Sequence, residues 1–501
     1  MSKLYVFGIG GTGARVLKSL TMLLAAGVDC GVDTIVPVII DRDMSNKDLS
    51  RTKLLIEDYI SVNRISVTNG RNKFFKTKFS LLAGNLCLQL RDNTQRFEDF
   101  IGRNTMTTEN KALVDMLFSE KTLKLDMTEG FQGNPNIGSV VLNQFENSNV
   151  FEAFANDFKQ GDKIFIVSSI FGGTGASGFP LLRKIVQTPN VNDADGRNLQ
   201  NWGLVNKAQI GAISVLPYFI VGQSVEESQV DSDTFIDKTR AALSYYKTED
   251  KRIDTMYYIA DKRTTTYEHH RGGDLQKNNA HFVEMAAAMA ILDFVNPEKL
   301  AENINRDNED RISQTTYKEF GINADKSEIT FSDLADETRK LIVNPLSRFL
   351  LFAKYMGYTV VKKDINGREE LIVEKINKND IFKKEYKHQP YARNRFSDGF
   401  RSVDAIKKLE SIQIRYFEWL LEMEDQNRKF SPFNLLSANC MDFIKGNMGS
   451  ATKKGFPYKN WAIMDNELNS LAPEIDRALE TENSFLELFY RVTENLINYK
   501  N

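Results

Sequence analysis

The stretch IFIVSSIFGGTGASG, residues 164–178, restricts the fold of this chain more than any other. A run of β-branched and aromatic residues predicts a buried strand. It breaks off into a loop holding Gly172, Gly173, Gly175 and Gly178, and then into the helix-like PLLRKIV. Glycine tolerates positive φ and lets another group approach the main chain. A helix that starts there presents unsatisfied N–H groups and the positive end of its dipole. A phosphate is the ligand that such a turn suits.

The same grammar opens the chain. KLYVFGI predicts a strand, GIGGTG at 8–13 a glycine turn, and Val16, Leu17, Leu20, Leu23 and Leu24 recur at helical spacing. TIVPVIID follows, a second strand ending in Asp41. Later runs, TLKLDM, QIGAISVLPYFIV and DTMYYIA, read as further strands, and NNAHFVEMAAAMAILDFV as a long helix packed on both sides. Strands alternating with helices imply an α/β fold with a parallel sheet, binding ligands at the carboxyl ends of its strands. Residues 48–119 are more polar and mostly helix-like, an elaboration on the sheet edge.

After Pro297 the texture changes. AENINRDNEDRISQTTYKEF reads as a surface excursion, and the rest as mainly amphipathic helix. Phe417 and Trp419 fall in a core-like stripe, and a last helix carries Leu479, Leu486, Phe489, Val492 and Leu496 on one face. YTVVKKDINGREELIVEK predicts a hairpin turning at Asn366–Gly367. The expected division is a nucleotide-binding domain over 1–296 and a mainly α-helical part over 297–501.

Lys+Arg total 65 against 67 Asp+Glu, a net charge of −2, which argues against a nucleic-acid groove or a membrane surface. Cys30, Cys87 and Cys440 lie far apart and suit a reducing compartment. No run approaches the ~18 apolar residues of a membrane span, and MSKLYVFGIGG enters a strand without a secretory leader. A soluble cytoplasmic protein is expected.

GIGGTG alone fits a dinucleotide-binding domain nearly as well as a mononucleotide site. A second glycine loop from the same sheet makes a two-sided cradle of N–H donors, as a di- or triphosphate requires. Thr174 and Ser177 offer hydroxyls to phosphate oxygens or a magnesium ion. No G-x-x-x-x-G-K-[ST] motif is present.

These residues carry a resemblance to the tubulin/FtsZ superfamily. Gly172-Gly173-Thr174-Gly175-Ala176-Ser177 resembles its signature G-G-G-T-G-[ST]-G, and Gly10-Gly11-Thr12-Gly13 sits where its first phosphate loop lies. GFQGNPNIGS (130–139), SVLPYF (214–219) with Pro217, and DTMYYIAD (254–261) resemble further family segments, in family order. NNAHFVEMAAAMAI takes the place of the long central helix. The resemblance covers about residues 1–296. It implies a parallel Rossmann-like GTPase sheet flanked by helices that binds GTP or GDP with Mg2+ in a divergent prokaryotic protein.

By the resemblance, phosphates would lie against Gly10, Gly11, Thr12, Gly13, Gly133, Asn134 and the segment Gly172 to Ser177. Asp41 or Asp43 would stand near the ribose or an Mg2+ shell, each acid alternatively being a solvated strand end. Asp261 replaces the asparagine with which the family reads guanine, and a carboxylate can accept both N1–H and the 2-amino group. Asn278 and Asn279 are candidates for a second base contact or for a helix cap. Val221 and Ser224 stand where FtsZ proteins carry a glutamate and an arginine for the ribose, leaving Glu226 or Glu227 to replace them. The catalytic acids expected after the central helix fall on Asn303 and Arg306, with Glu302 and Asp307 each one position away. Those two are the candidate catalytic residues, an ordinary charged loop being the alternative.

Three functions follow. One is a tubulin-like GTP-binding protein that assembles head to tail into filaments, with nucleotide at the junction and slow assembly-dependent hydrolysis. The second is a non-polymerising nucleotide sensor whose helical half docks a partner protein. The third, a Rossmann-type NAD-binding oxidoreductase, leaves GGTGAS and GFQGNPNIG without a role. His269–His270 lie in a charged turn and His281 on the central helix, with no catalytic pairing pattern.

Overall fold

A computed structural model describes residues 2–66, 71–88, 94–188, 191–192, 198–222, 234–249, 253–267, 273, 276–307, 312–320, 326–365, 368–375, 403–437, 443–446, 461–475 and 481–499. Its centre is a seven-stranded sheet in the order β3-β2-β1-β4-β5-β7-β9, parallel throughout. The strands are β1 (Lys3–Ile9), β2 (Thr34–Ile40), β3 (Lys78–Phe79), β4 (Lys163–Ser169), β5 (Gln209–Val215), β7 (Thr255–Ile259) and β9 (Thr316–Phe320). A separate parallel pair joins β6 (Phe219–Val221) to β8 (Thr265–Tyr267). In β1, β2, β4 and β5 every residue after the first is buried. Such strands are covered on both faces, which is why they read as unbroken apolar runs.

The order reverses beside β1. The chain moves outward one way through β2 and β3, then returns to the other side of β1 with β4 and continues through β5, β7 and β9. That reversal is a topological switch point, where α/β sheets open a crevice at the strands' carboxyl ends. The two glycine loops leave the sheet there, from β1 and β4.

The main helices of this part are α1 (Gly10–Ala25), α2 (Lys47–Ser66), α3 (Thr108–Leu117), α4 (Pro135–Val141), α5 (Gly173–Gln187), α6 (Thr234–Glu249) and the central helix α7 (Phe282–Val295). Every residue of α7 except Asp293 is buried. Its run of alanines lets flanking elements pack closely all round it.

The C-terminal part is mainly helical: α8 (Asp336–Tyr355), α9 (Asp404–Glu424), α10 (Trp461–Ile475) and α11 (Thr481–Leu496). It packs on the sheet domain through aromatic contacts. Phe74 meets Phe349, Phe352 and Tyr490, and Trp419 Nε1 donates to Ser19 Oγ at 3.2 Å. Phe417 and Trp419 are fully buried, as are Leu486, Phe489 and Val492, with Leu496 nearly so; Leu479 lies outside the described residues. Strands β10 (Tyr358–Ile365) and β11 (Arg368–Lys375) pair antiparallel as the hairpin pattern predicts, and their link 366–367 lies outside the described residues.

Two expectations are corrected. TLKLDM is not a strand: a helical turn ends at Leu123 and a 3-10 turn begins at Met127. Leu123, Leu125 and Met127 are nonetheless buried, so the alternation records packing, while both sides of β1 are taken by β2 and β4. The polar run after Pro297 is not all excursion, because TYKEF forms β9, the seventh strand, beyond residue 296. Among the described residues, no helix is long and apolar enough to cross a membrane.

Candidate nucleotide site

Strand β1 passes into α1 through Gly10, whose φ of +72° is a left-handed value that glycine adopts without strain. Helix and strand touch closely at this turn: a Cβ on Gly13 would stand 2.4 Å from the carbonyl carbon of Gly8. Gly10 also faces the second loop, its Cβ position lying 3.4 Å from Thr174 Cβ and 3.6 Å from Gly175 N. A third loop closes on that one. A Cβ on Gly173 would meet Gly133 N at 3.1 Å and Asn134 N at 3.2 Å. Gly10–Gly13, Gly172–Ser177 and Gly130–Asn134, far apart in sequence, thus converge on one rim of the sheet.

Gly11, Gly133, Asn134, Gly172, Thr174 and Ala176 are partly exposed on this rim, whereas Gly173, Gly175 and Ser177 are buried. Ser177 differs from expectation. Its Oγ donates to Gly173 O at 2.7 Å within α5, so the hydroxyl serves its own helix. Asn134 Nδ2 donates to Phe131 O and Gln132 O, holding its own turn. Thr12 Oγ1 accepts a long bond of 3.4 Å from Arg15. Lys238 of α6 donates to Gly133 O at 3.1 Å and adds a positive charge beside the loops that no local pattern announced.

The two strand-end acids are buried. Burial pushes the Asp41 carboxyl up to about 7, against a hydrogen bond from Asp43 N that favours its ionised form. Asp43 is engaged: Oδ1 accepts from Ser45 N and Oγ, and Oδ2 from Gly273 N at 2.8 Å. Among the described residues, no group of three or more His, Cys, Asp or Glu is placed to hold a metal ion. Magnesium bound chiefly through phosphate oxygens needs only one or two protein carboxylates. Asp41 fits that role better than Asp43, whose oxygens hold the loop.

Behind the rim lies a buried charged cluster. Arg15 reaches Asp48 at 2.9 Å, Glu284 at 2.5 Å and the Tyr218 hydroxyl at 3.0 Å, and Tyr218 donates to Glu284 at 2.7 Å. Burial raises the Asp48 carboxyl while Arg15 opposes it. Arg15 is held well above its ordinary value, its burial outweighed by Tyr218, Glu284 and Asp48. Sequence reasoning missed this cluster. Its one local signal was Glu284, an acid in the first turn of an otherwise apolar helix. Pro217 precedes Tyr218 in the link from β5 to β6 and is partly exposed.

Of the base-contact candidates, Asp261 is held through its side chain, whereas Asn278 and Asn279 are held through main-chain atoms. Asp261 forms an ion pair with Arg428 of the C-terminal part, their side chains 4% and 8% exposed, and Asp261 Oδ1 also accepts from Lys262 N. Asn278 N donates to Asp48 at 3.2 Å, and Asn279 O accepts from the Tyr267 hydroxyl at 2.9 Å. Neither asparagine caps α7. The cap is His281, whose Nδ1 accepts from Val283 N while Glu284 bonds back to His281 N. Desolvation lowers the His281 pKa, which suits this acceptor role. Ser224, Glu226, Glu227, His269 and His270 lie outside the described residues.

The segment after α7 is built into the fold. Asn303 is fully buried and donates to Asp293 O at 2.8 Å, and Arg306 pairs with the buried Asp254 at 2.7 Å. Glu302 pairs with Lys318 at 2.9 Å, its side chain 61% exposed, and Asp307 is exposed.

No family model matches the chain, and no curated protein matches it. Among solved structures, CetZ from Methanosaeta thermophila strain DSM 6194 matches at 14% sequence identity with a TM-score of 0.25. The match covers 52% of this chain and 46% of that one, so this chain spans about half the length of that neighbour. The α/β architecture rests on the seven-stranded parallel sheet itself.

Proposed function

We propose that the chain binds a guanosine nucleotide, GTP or GDP with Mg2+, and assembles head to tail with the nucleotide at the subunit junction, in the manner of tubulin-like proteins. One observation supports this above all. Three glycine-bearing loops, from β1, from β4 and from residues 130–134, meet at the point where the strand order reverses. Bare main-chain amides collected there suit the charged tail of a nucleotide, which a single dinucleotide-binding turn would not require. The order of the family-like segments in the sequence favours guanosine nucleotides.

In this reading Gly10–Gly13, Gly133, Asn134 and Gly172–Ala176 hold phosphate oxygens, and Lys238 adds charge to the rim. Asp41 serves the magnesium shell, a cation restoring its ionised form. Because Asn303 and Arg306 hold the fold together, turnover depends on Glu302 or Asp307 reaching a neighbouring subunit, and it is slow. The alternative of a partner docked on the C-terminal helices gains nothing from their surface, since the apolar stripes of α8, α9 and α11 are buried.

Calorimetry of the full chain with GTP, GDP and ATP, with and without Mg2+, tests the binding step. Negative-stain microscopy under the same conditions tests assembly. Silence toward all three nucleotides removes the cradle, while binding without any oligomer removes only the assembly.

A further inference from the structure

A cavity of about 710 Å3 opens beside α7, away from the Arg15 cluster. Phe282, Val283, Ala286 and Met289 line it. At 100° per residue these four gather on the side of the helix opposite Glu284, which Arg15 holds. The end of β7 contributes Tyr258 and Ile259, and the facing wall is Leu334 and Ala335 at the entrance to α8. Its floor carries the buried ion pair of Asp261 and Arg428, and its rim the exposed Lys262 and Glu319. None of the glycine loops reaches it.

We propose that this cavity is a binding site for an uncharged, ring-bearing small molecule, separate from the glycine-loop rim. Its volume falls within the range of natural ligand pockets, which are mostly apolar with a few converging polar groups. The rings of Phe282 and Tyr258 offer faces and edges for a planar body. The floor charges cancel one another, so a charged ligand would lose its hydration without gaining a net counter-charge. A neutral group with a donor beside an acceptor, such as a carboxamide edge, suits a carboxylate next to a guanidinium. A nucleotide tail suits it poorly, because the lining sets the acids Asp261, Glu319 and Asp333 against only Lys262 and Arg428, and Arg428 already faces Asp261. The occupant would bridge the central helix and the start of α8, so it would stiffen the junction between sheet and helical part.

The test uses Nile red, an uncharged ring-bearing fluorophore, titrated into the full chain, with the anionic dye ANS as the contrasting probe. The expected result is saturable Nile red fluorescence at one dye per chain, with ANS failing to displace it. Ala335→Trp fills the mouth from an exposed position, and Ala286→Trp fills the interior. Each should weaken Nile red about tenfold or more. A circular dichroism melt of Ala335→Trp matching the parent shows that the loss is not misfolding. No saturable binding, equal binding by Ala335→Trp, or displacement by ANS as effective as by an uncharged aromatic competitor would each overturn the proposal.

Discussion

Arg15 and Glu284 meet at 2.5 Å across the interface of α1 and α7, both nearly inaccessible to solvent. The helix that leaves the first glycine loop is thereby tied to the helix that crosses the centre of the molecule. Removing one partner strands the other. Glu284→Ala should destabilise the chain by roughly 3–5 kcal/mol, whereas replacing both ends with apolar residues should recover part of the loss. Urea denaturation of the two variants measures this. A single variant within ~1 kcal/mol of the parent would show that the pair contributes little.

Gly173 carries a different constraint. Its φ is not left-handed, so the constraint is space: a Cβ would stand 3.1 Å from Gly133 N and 3.2 Å from Asn134 N, tight for alanine and tighter for the branched valine. Gly173→Val should push the 130–134 loop off its seat and cut GTP affinity at least about tenfold. Calorimetry on the folded variant is the measurement, and an unchanged affinity would sink the three-loop cradle.

Asp41 makes stability fall as pH rises. The unfolded carboxyl titrates near ~3.9, whereas burial raises the folded one to about 7. The folded state therefore holds the proton more tightly. Its advantage is complete below ~4 and is lost as pH rises through 7. Asp41→Asn should flatten this dependence and stabilise the chain at pH 8 by about 1–4 kcal/mol relative to its effect at pH 4. Parallel denaturation curves for parent and variant across that range would disprove the assignment.

Asp261 faces Arg428 and is therefore expected to act on stability first. Asp261→Ala takes the carboxylate away from a nearly buried guanidinium and should cost about 3 kcal/mol. The preference for GTP over ATP should remain within about twofold. If discrimination instead weakens by about 1–3 kcal/mol, the size expected for an unmet buried donor pair, then Asp261 reads the base after all.

Much of the sheet domain was legible because its signals are local. A buried parallel strand is an unbroken apolar run, and a close turn leaves glycines, so β1, β2, β4 and their loops stood out. β9 did not, because its edge position leaves Tyr317 and Glu319 exposed and the segment reads as polar. TLKLDM erred in the other direction, since an alternating pattern shows which side chains are buried but not whether a sheet edge waits beside them.

Pairings between distant residues were beyond the sequence. Glu422 of α9 accepts from Lys18 at 2.7 Å, pairs with Arg51, and accepts from Ala280 N at the entrance to α7. Burial would raise its carboxyl, but the two cations outweigh that and bring it down to about 2. Nothing near Glu422 in the chain marks it as a junction between the helical part, α1, α2 and α7. The amino-acid order alone determined the buried central strands and the glycine turns that follow β1 and β4, since these depend on neighbours within one or two turns. Which loops meet, which acids lie buried against which cations, and where a cavity opens were decided by the tertiary fold, because contacts across hundreds of residues leave no local periodicity.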